Sequence, residues 1–359
     1  MTGVRPADLI RPEIRELSAY HVPDARGLIK LDAMENPYRW PPEMVAAWSA
    51  KLRYVPLNRY PDPEAAELKA RLRAALAIPP EVELLLGNGS DELIQLVILA
   101  LSAPGRVVLA PEPSFVMYRL ISRFVGMRYV GVPLGAADFS LDLAAMLEAM
   151  ERYRPAVVFL AYPNNPTGNR FNEQDVRQVI AAAPGLVVVD EAYFAFAEHS
   201  FLTSVAEFDN LLVMRTLSKI GLAGLRLGFL TGAQAWINEL DKLRLPYNIN
   251  ILTQMSAEFA LVHAEIIAVQ ARQICEDRRL LLKALQNLPG ITAYPSEANF
   301  VLFRTPAGKG THLFEALRSA GILIKNLSQG DLLHDCLRVT VGTPEENQIF
   351  LSALAAVLD

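Results

Sequence analysis

Lys219 stands in the segment Arg215-Thr216-Leu217-Ser218-Lys219-Ile220-Gly221-Leu222-Ala223-Gly224-Leu225-Arg226, directly after the apolar run Leu211–Met214. An amine at the end of a buried strand, among apolar and glycine neighbours, is kept partly deprotonated by desolvation and nearby cations. A Schiff-base lysine needs that state, although a plain surface lysine fits the segment too. Asp190 closes the apolar run Val187-Val188-Val189 and is followed by Glu191-Ala192-Tyr193. A carboxylate there is costly unless it meets a cation or a strong donor. Either a ligand nitrogen that must stay protonated or the start of a helix would serve. Asn165 lies in Tyr162-Pro163-Asn164-Asn165-Pro166-Thr167-Gly168, after Val157–Ala161. Its amide could bond a ligand hydroxyl or phenolate, or the segment could be only a proline turn. Gly87-Asn88-Gly89-Ser90-Asp91-Glu92 follows Leu84–Leu86. As a helix start it offers free N–H groups and a dipole to an anion, typically a phosphate, with Ser90 or Asp91 as the N-cap. It is neither a P-loop nor GxGxxG.

These segments need elements to carry them. Strand-like runs recur at Glu83–Leu86, Arg106–Ala110, Tyr129–Val132, Ala156–Ala161, Leu186–Val189, Leu211–Arg215 and Arg226–Thr231. Helical patterns cover Ala65–Leu76, Asp91–Ala100, Leu143–Arg152 and Asn172–Ala182. Short, doubly apolar strands alternating with helices predict an α/β fold with a mainly parallel sheet between helices. Ligands of such sheets sit off the carboxyl ends of the strands, where each motif falls. Residues 1–45 read as a proline-punctuated arm with one short helix near Glu13–Leu17. Residues 46–250 read as a large cofactor-binding domain. Thr253–Leu288 is a single helical pattern without Gly or Pro, stopped by Pro289-Gly290. It leads into a smaller C-terminal α/β domain, 251–359.

Together, a phosphate-binding helix start, an Asn, a strand-end Asp with Tyr193 three residues on, and Ser218-Lys219 with Arg226 form a site for pyridoxal 5′-phosphate. That cofactor carries a phosphate, a phenolate oxygen, a pyridine nitrogen and an aldehyde. Composition closes other routes. Of 359 residues 52% are hydrophobic and 20% charged, so the chain has material for a large core. The formal net charge is −5 and no long basic run occurs, so no nucleic-acid partner is expected. The two cysteines make no disulfide framework, and no His/Cys spacing suggests a metal. The N-terminus is not a signal peptide and no apolar run approaches 20 residues. A soluble cytoplasmic protein with no membrane span is expected.

On Asn58–Asp62, Gly87–Glu92, Pro163–Gly168, Asp190–Tyr193, Thr216–Gly228 and Leu337–Thr343, the chain resembles the fold-type I pyridoxal-phosphate aminotransferases, in the histidinol-phosphate subgroup. These stretches span nearly its whole length. The resemblance implies that Lys219 binds the cofactor aldehyde and shuttles a proton. It implies that Asp190 holds the pyridinium N–H and that Asn165 and Tyr193 bond the phenolate oxygen. The backbone of Ser90 and Asp91, with the side chains of Ser218 and Arg226, would bind the phosphate, and Phe115 would stack on the ring. Tyr60 would reach the cofactor phosphate of the other subunit, which implies a homodimer in which the arm 1–45 packs with the small domain and the partner subunit.

The same resemblance implies amino transfer from L-histidinol phosphate to 2-oxoglutarate, giving imidazole acetol phosphate and L-glutamate, in histidine biosynthesis. Tyr20, Asn36 and Arg338 would serve the substrate side; a tyrosine packing the arm on the core is the other reading of Tyr20. Lys325 stands in Gly321-Ile322-Leu323-Ile324-Lys325, where the family often has arginine; lysine keeps the charge but loses bidentate geometry. The arm segment Leu31–Tyr38 lacks the usual Asn before Glu35-Asn36-Pro37, and the Lys219–Arg226 loop is one residue shorter than in some members. An aromatic amino-acid aminotransferase and a threonine-phosphate decarboxylase of cobalamin synthesis are the alternatives within the resemblance.

Overall fold

The computed structural model describes residues 4–19, 21–328 and 330–358. The first strand, β1 (Ile29–Lys30), belongs to the N-terminal arm. β2 (Glu83–Asn88), β3 (Val107–Glu112), β4 (Arg128–Pro133), β5 (Val157–Ala161), β6 (Leu186–Asp190), β7 (Leu211–Thr216) and β8 (Leu227–Gly232) form a seven-stranded sheet in the order β2-β8-β7-β6-β5-β3-β4. All pairs are parallel except those made by β8, which runs antiparallel to both its neighbours. The mainly parallel α/β sheet expected from sequence is thus the one observed.

The central strands are buried from end to end. Successive residues enter opposite cores: Val158, Leu160, Val187, Val189, Leu211 and Val213 join one apolar cluster, while Val157, Phe159, Val188, Leu212 and Met214 join the other. That two-residue alternation explains why these strands read as continuous apolar runs, since helices cover both faces. The helices start where side chains can satisfy their first N–H groups. Asn172 accepts from Gln174 and Asp175 (2.8 and 3.2 Å), and Asp142 accepts from Ala145 (2.9 Å). Helices Val116–Val125 and Gln234–Asp241 fall outside the helical stretches named from sequence, although Val116–Val125 is strongly amphipathic.

The largest departure from expectation is at His263. The single helix expected over 253–288 is two, Ile251–Val262 and Ala264–Gln286, bent by 77°. The first buries Ala257, Ala260 and Leu261 against the core of the large sheet. The second buries Ile274, Leu281 and Leu285 in a separate core. Breaking the ladder costs about 1 kcal/mol per lost hydrogen bond. Each large aliphatic side chain kept in its core contributes roughly 1.5–3 kcal/mol, so the bend wins. Among the described residues no single helix is long and apolar enough to cross a membrane.

Past the bend, β9 (Thr292–Ala293), β10 (Phe300–Arg304), β12 (Lys325–Asn326) and β13 (Cys336–Thr340) make an antiparallel sheet in the order β12-β13-β10-β9. β11 (Ile322–Leu323) pairs in parallel with β1, which ties the arm to this unit. Beyond β1 the arm is pinned by Thr340 N–H to Leu31 O (2.8 Å), Met34 N–H to Thr340 Oγ1 (3.0 Å) and Asn299 Nδ2 to Met34 O (2.9 Å). These bonds hold the arm against the C-terminal unit.

Candidate active site

The register of the large sheet lines up the ends of its strands. Ala161 pairs with Asp190, Asp190 with Met214, and Thr216 with Gly228, while Asn88 lies opposite Leu227. The segments that follow β2, β5, β6 and β7 therefore open on one edge. There they border a cleft open to solvent, lined by Ser90, Asp91, Phe115, Asn165, Asp190, Tyr193, Ser218, Lys219 and Arg226. Nine residues singled out from sequence thus meet in one place.

One end of the cleft is built for an anion. Helix Gly89–Ala100 begins with Gly89 at φ +77°, and Arg226 follows a 3-10 turn at φ +51°. A β-carbon at Gly89 would lie 2.7 Å from Arg226 Nη2, and one at Gly228 would lie 2.9 Å from Gly89 C and Ser90 N. The two missing side chains let the helix start, β8 and the guanidinium crowd together. Arg226 Nη1 donates to Ser218 Oγ (3.2 Å), and its Nη2 stands 3.4 Å from Asp91 Oδ2. The N-cap position belongs to Asn88, not to Ser90 or Asp91 as expected. Glu92 Oε2 accepts from Asn88 N–H (2.6 Å) and from Asn248 Nδ2 (2.9 Å). Ser90 and Asp91 fall in the first turn, facing the cleft, where the helix dipole and a cation favour a phosphate.

The middle of the cleft carries polar groups on buried supports. Asp190 is 3% exposed; Tyr118 donates its hydroxyl to Oδ2 (2.7 Å) and Ala192 its N–H to Oδ1 (3.1 Å). Burial raises its carboxyl to about 6, with the charges of Asp91 and Glu191 adding to the rise and the Tyr118 and Ala192 bonds opposing it. A cationic N–H in the cleft would reverse that cost. Asn165 Nδ2 donates to the Tyr193 hydroxyl oxygen (3.1 Å), so the tyrosine O–H is the donor that a ligand oxygen can use. Asn165 is held in turn. Ser114 Oγ donates to Asn164 Oδ1 (2.9 Å), and Asn164 Nδ2 donates to Pro113 O (2.9 Å) and Thr167 Oγ1 (2.7 Å).

Lys219, in the 3-10 turn Ser218–Ile220, donates from Nζ to Ala33 O of the arm (3.3 Å). Burial lowers its ammonium to about 8, with the charges of Arg338 and Arg226 pushing the same way. An amine at that point is a usable nucleophile and base near neutrality.

The substrate-side expectations fare less uniformly. Arg338, on β13, is buried over the Phe300 ring; it donates to Asn165 Oδ1 (2.5 Å) and Asp32 O (3.0 Å), so it joins the two sheets beside the cleft. Lys325 pairs with Arg338 across β12 and β13, half-buried, its ammonium lowered by burial and by Arg338. Asn36 spends its amide on Gln270 (2.9 Å) and on the Tyr38 N–H (2.8 Å). None of Arg338, Lys325 and Asn36 is among the residues lining the cleft. Tyr60 is 78% exposed, stacked on Tyr247 (ring centroids 4.4 Å apart), and is not brought to this chain's cleft. Tyr20 lies outside the described residues. Tyr118 was not singled out from sequence, because a tyrosine inside an amphipathic helix carries no local sign of its partner.

Residues 26–354 match the family model described as aminotransferase class I and II. A histidinol-phosphate aminotransferase 2 of Nitrosococcus oceani is 61% identical over 99% of this chain and 99% of its own. A histidinol-phosphate aminotransferase of Chromobacterium violaceum is 56% identical over 96% of this chain and 97% of its own. The crystal structure of histidinol-phosphate aminotransferase from Sinorhizobium meliloti in complex with pyridoxal-5′-phosphate has the same fold: TM-score 0.85, 24% identity, covering 98% of this chain and 97% of that one. The chain belongs to the aminotransferase class I and II family.

Proposed function

We propose that the protein transfers the amino group of L-histidinol phosphate to 2-oxoglutarate, giving imidazole acetol phosphate and L-glutamate, in histidine biosynthesis with pyridoxal 5′-phosphate as cofactor. The carrying observation is the meeting of Lys219, Asp190, the Asn165–Tyr193 pair and the Ser218–Arg226 cradle at one sheet edge. These residues fit the cofactor group by group, and the cradle exists only because Gly89 and Gly228 lack side chains. When bound, the cofactor supplies an aldehyde for the amine and a protonated ring that withdraws electrons from the substrate Cα.

The chain's own residues do the rest. Asp190 holds the proton on the ring nitrogen. Asn165 and Tyr193 hold the phenolate oxygen, and Phe115 flanks the ring. The backbone N–H groups of Ser90 and Asp91, with the side chains of Ser218 and Arg226, hold the phosphate. Lys219 is the base that moves the proton at Cα, suited to this by an ammonium lowered to about 8. The named relatives at 61% and 56% identity support histidinol phosphate as the amino donor. Its phosphate calls for cations, and Arg338 with Lys325 supply a pair of them beside the cleft. Tyr20 and Asn36 keep the substrate-side roles that the resemblance implies.

A homodimer accounts for Tyr60. An exposed tyrosine, with Tyr54, Leu57, Leu245 and Leu252 also exposed, fits a surface that reaches a second copy's cofactor phosphate. The same reading divides the chain of the cytoplasmic enzyme into the arm 1–45, a large domain 46–250 and a small domain 251–359, of which the first helix, Ile251–Val262, packs on the large domain's core. The separate core around Ile274, Phe300, Phe303 and Phe350 supports the small domain.

The test is steady-state glutamate formation from 2-oxoglutarate with each donor in turn. Histidinol phosphate should give the highest kcat/KM. Faster turnover of L-phenylalanine would make the protein an aromatic aminotransferase, and carbon dioxide from O-phosphothreonine would make it a decarboxylase.

A further inference from the structure

We infer that Tyr118 is a positioning residue for the cofactor's ring nitrogen, acting through Asp190. Its hydroxyl donates to Asp190 Oδ2 at 2.7 Å, while the Ala192 N–H occupies Oδ1. Both oxygens are thereby fixed, and the carboxylate's remaining acceptor capacity is left for a donor in the cleft.

The tyrosine itself cannot drift. It is 0% exposed, its ring stacks on Phe159 (centroids 4.7 Å, planes 14° apart), and it meets the Phe115 ring edge-on at 5.6 Å. One side chain therefore braces both the aromatic that flanks the cofactor and the carboxylate that holds its nitrogen. The direction of the electrostatics agrees. Burial, Asp91 and Glu191 all favour a protonated Asp190, and the Tyr118 bond is the first of the two contacts that oppose them. Tyr193 stays a neutral phenol, its ionisation suppressed first by burial and further by the Asp190 charge, with Arg338 opposing. Without the Tyr118 hydroxyl, one oxygen of a buried carboxylate loses its partner, and a neutral Asp190 cannot hold a cationic N–H.

This inference rests on Asp190 as the ring-nitrogen partner, and the experiment separates the two. Dissociation constants are measured for wild type, Tyr118→Phe, Asp190→Asn and the double variant. Each is titrated with pyridoxal phosphate and with an analogue in which carbon replaces the ring nitrogen. Tyr118→Phe should weaken pyridoxal phosphate about tenfold or more, and the analogue less than about threefold. In the Asp190→Asn background it should add less than about threefold, because the two residues act as one unit. Equal weakening of both cofactors, or additive losses in the double variant, would reduce Tyr118 to a packing role and overturn the inference. If Asp190→Asn binds pyridoxal phosphate like wild type, the Asp190 assignment fails first. If only Tyr118→Phe does, Tyr118 alone is wrong. Should Tyr118→Phe not fold, a difluorotyrosine at 118 keeps the shape and strengthens the donor. It should change the affinity for pyridoxal phosphate and not for the analogue, and equal shifts would again overturn the inference.

Discussion

Gly228→Ala probes the phosphate cradle with a single methyl group. That methyl would sit 2.9 Å from Gly89 C, 2.9 Å from Ser90 N and 3.1 Å from Arg215 O. Relaxed non-bonded contacts between carbon atoms lie at about 3.5–4.0 Å, so the helix start must move off β8 by about 0.6–1 Å. All three neighbours are backbone atoms in a sheet and a helix, so no side chain can swing aside. Overpacking of this kind costs about 1–3 kcal/mol. At about 1.4 kcal/mol per factor of ten, the cofactor should bind roughly 5- to 150-fold more weakly if the strain falls on the cradle. Gly224→Ala, in the 3-10 turn just before β8, is the control, since a β-carbon there meets nothing within 4 Å. It should change affinity by no more than about twofold. Titration of the apoproteins with pyridoxal phosphate reads the affinity, and their melting temperatures read the strain. The reasoning is refuted if both variants bind alike, or if Gly228→Ala lowers the melting temperature and leaves the affinity unchanged.

Lys219→Ala should abolish turnover while the apoprotein still takes up cofactor non-covalently; substantial residual transamination would remove Lys219 from the mechanism. Because burial, Arg338 and Arg226 lower the Lys219 ammonium to about 8, its neutral amine prevails above that pH. Attachment of cofactor to the apoprotein should therefore speed up as pH rises to about 8 and level off beyond; a rise continuing toward the 10.5 of an ordinary lysine would contradict the burial argument. Tyr60→Phe should mainly loosen cofactor binding. In a mixed dimer of Lys219→Ala with Tyr60→Phe, the one site that keeps its lysine should bind cofactor as tightly as wild type if Tyr60 acts across subunits, and binding there as loose as in Tyr60→Phe would deny that.

The cofactor side was legible in the sequence because each of its groups lies within a few residues of a strand end. Asp190 ends β6, Asn165 and Lys219 come just after β5 and β7, and a parallel sheet with aligned ends delivers them to one edge. The sequence carried less wherever the partner is distant along the chain. Tyr118 reaches Asp190 over 72 residues, and Arg338 reaches Asn165 over 173. The bend at His263 escaped for a related reason. No Gly or Pro marks it, and what breaks the helix is the demand of two cores on its two halves. The antiparallel course of β8 was equally hidden, since strand direction leaves no trace in a run as apolar as Leu227–Gly232. The capping of helix Gly89–Ala100 was misread at one position: Glu92 reaches back to the Asn88 N–H, so Ser90 and Asp91 are left to face the ligand.

The half-reaction without an amino acceptor tests the central claim most directly. Reconstituted protein is mixed separately with L-histidinol phosphate, L-glutamate, L-phenylalanine and O-phosphothreonine, and the visible absorbance of the lysine-bound cofactor is followed. The account predicts that histidinol phosphate and glutamate bleach it at low concentration, with conversion to the pyridoxamine form. Bleaching led by phenylalanine, or an absorbance that survives both predicted donors, would contradict histidinol phosphate as the substrate. A protein that develops no such absorbance after cofactor is added would contradict the assignment of Lys219.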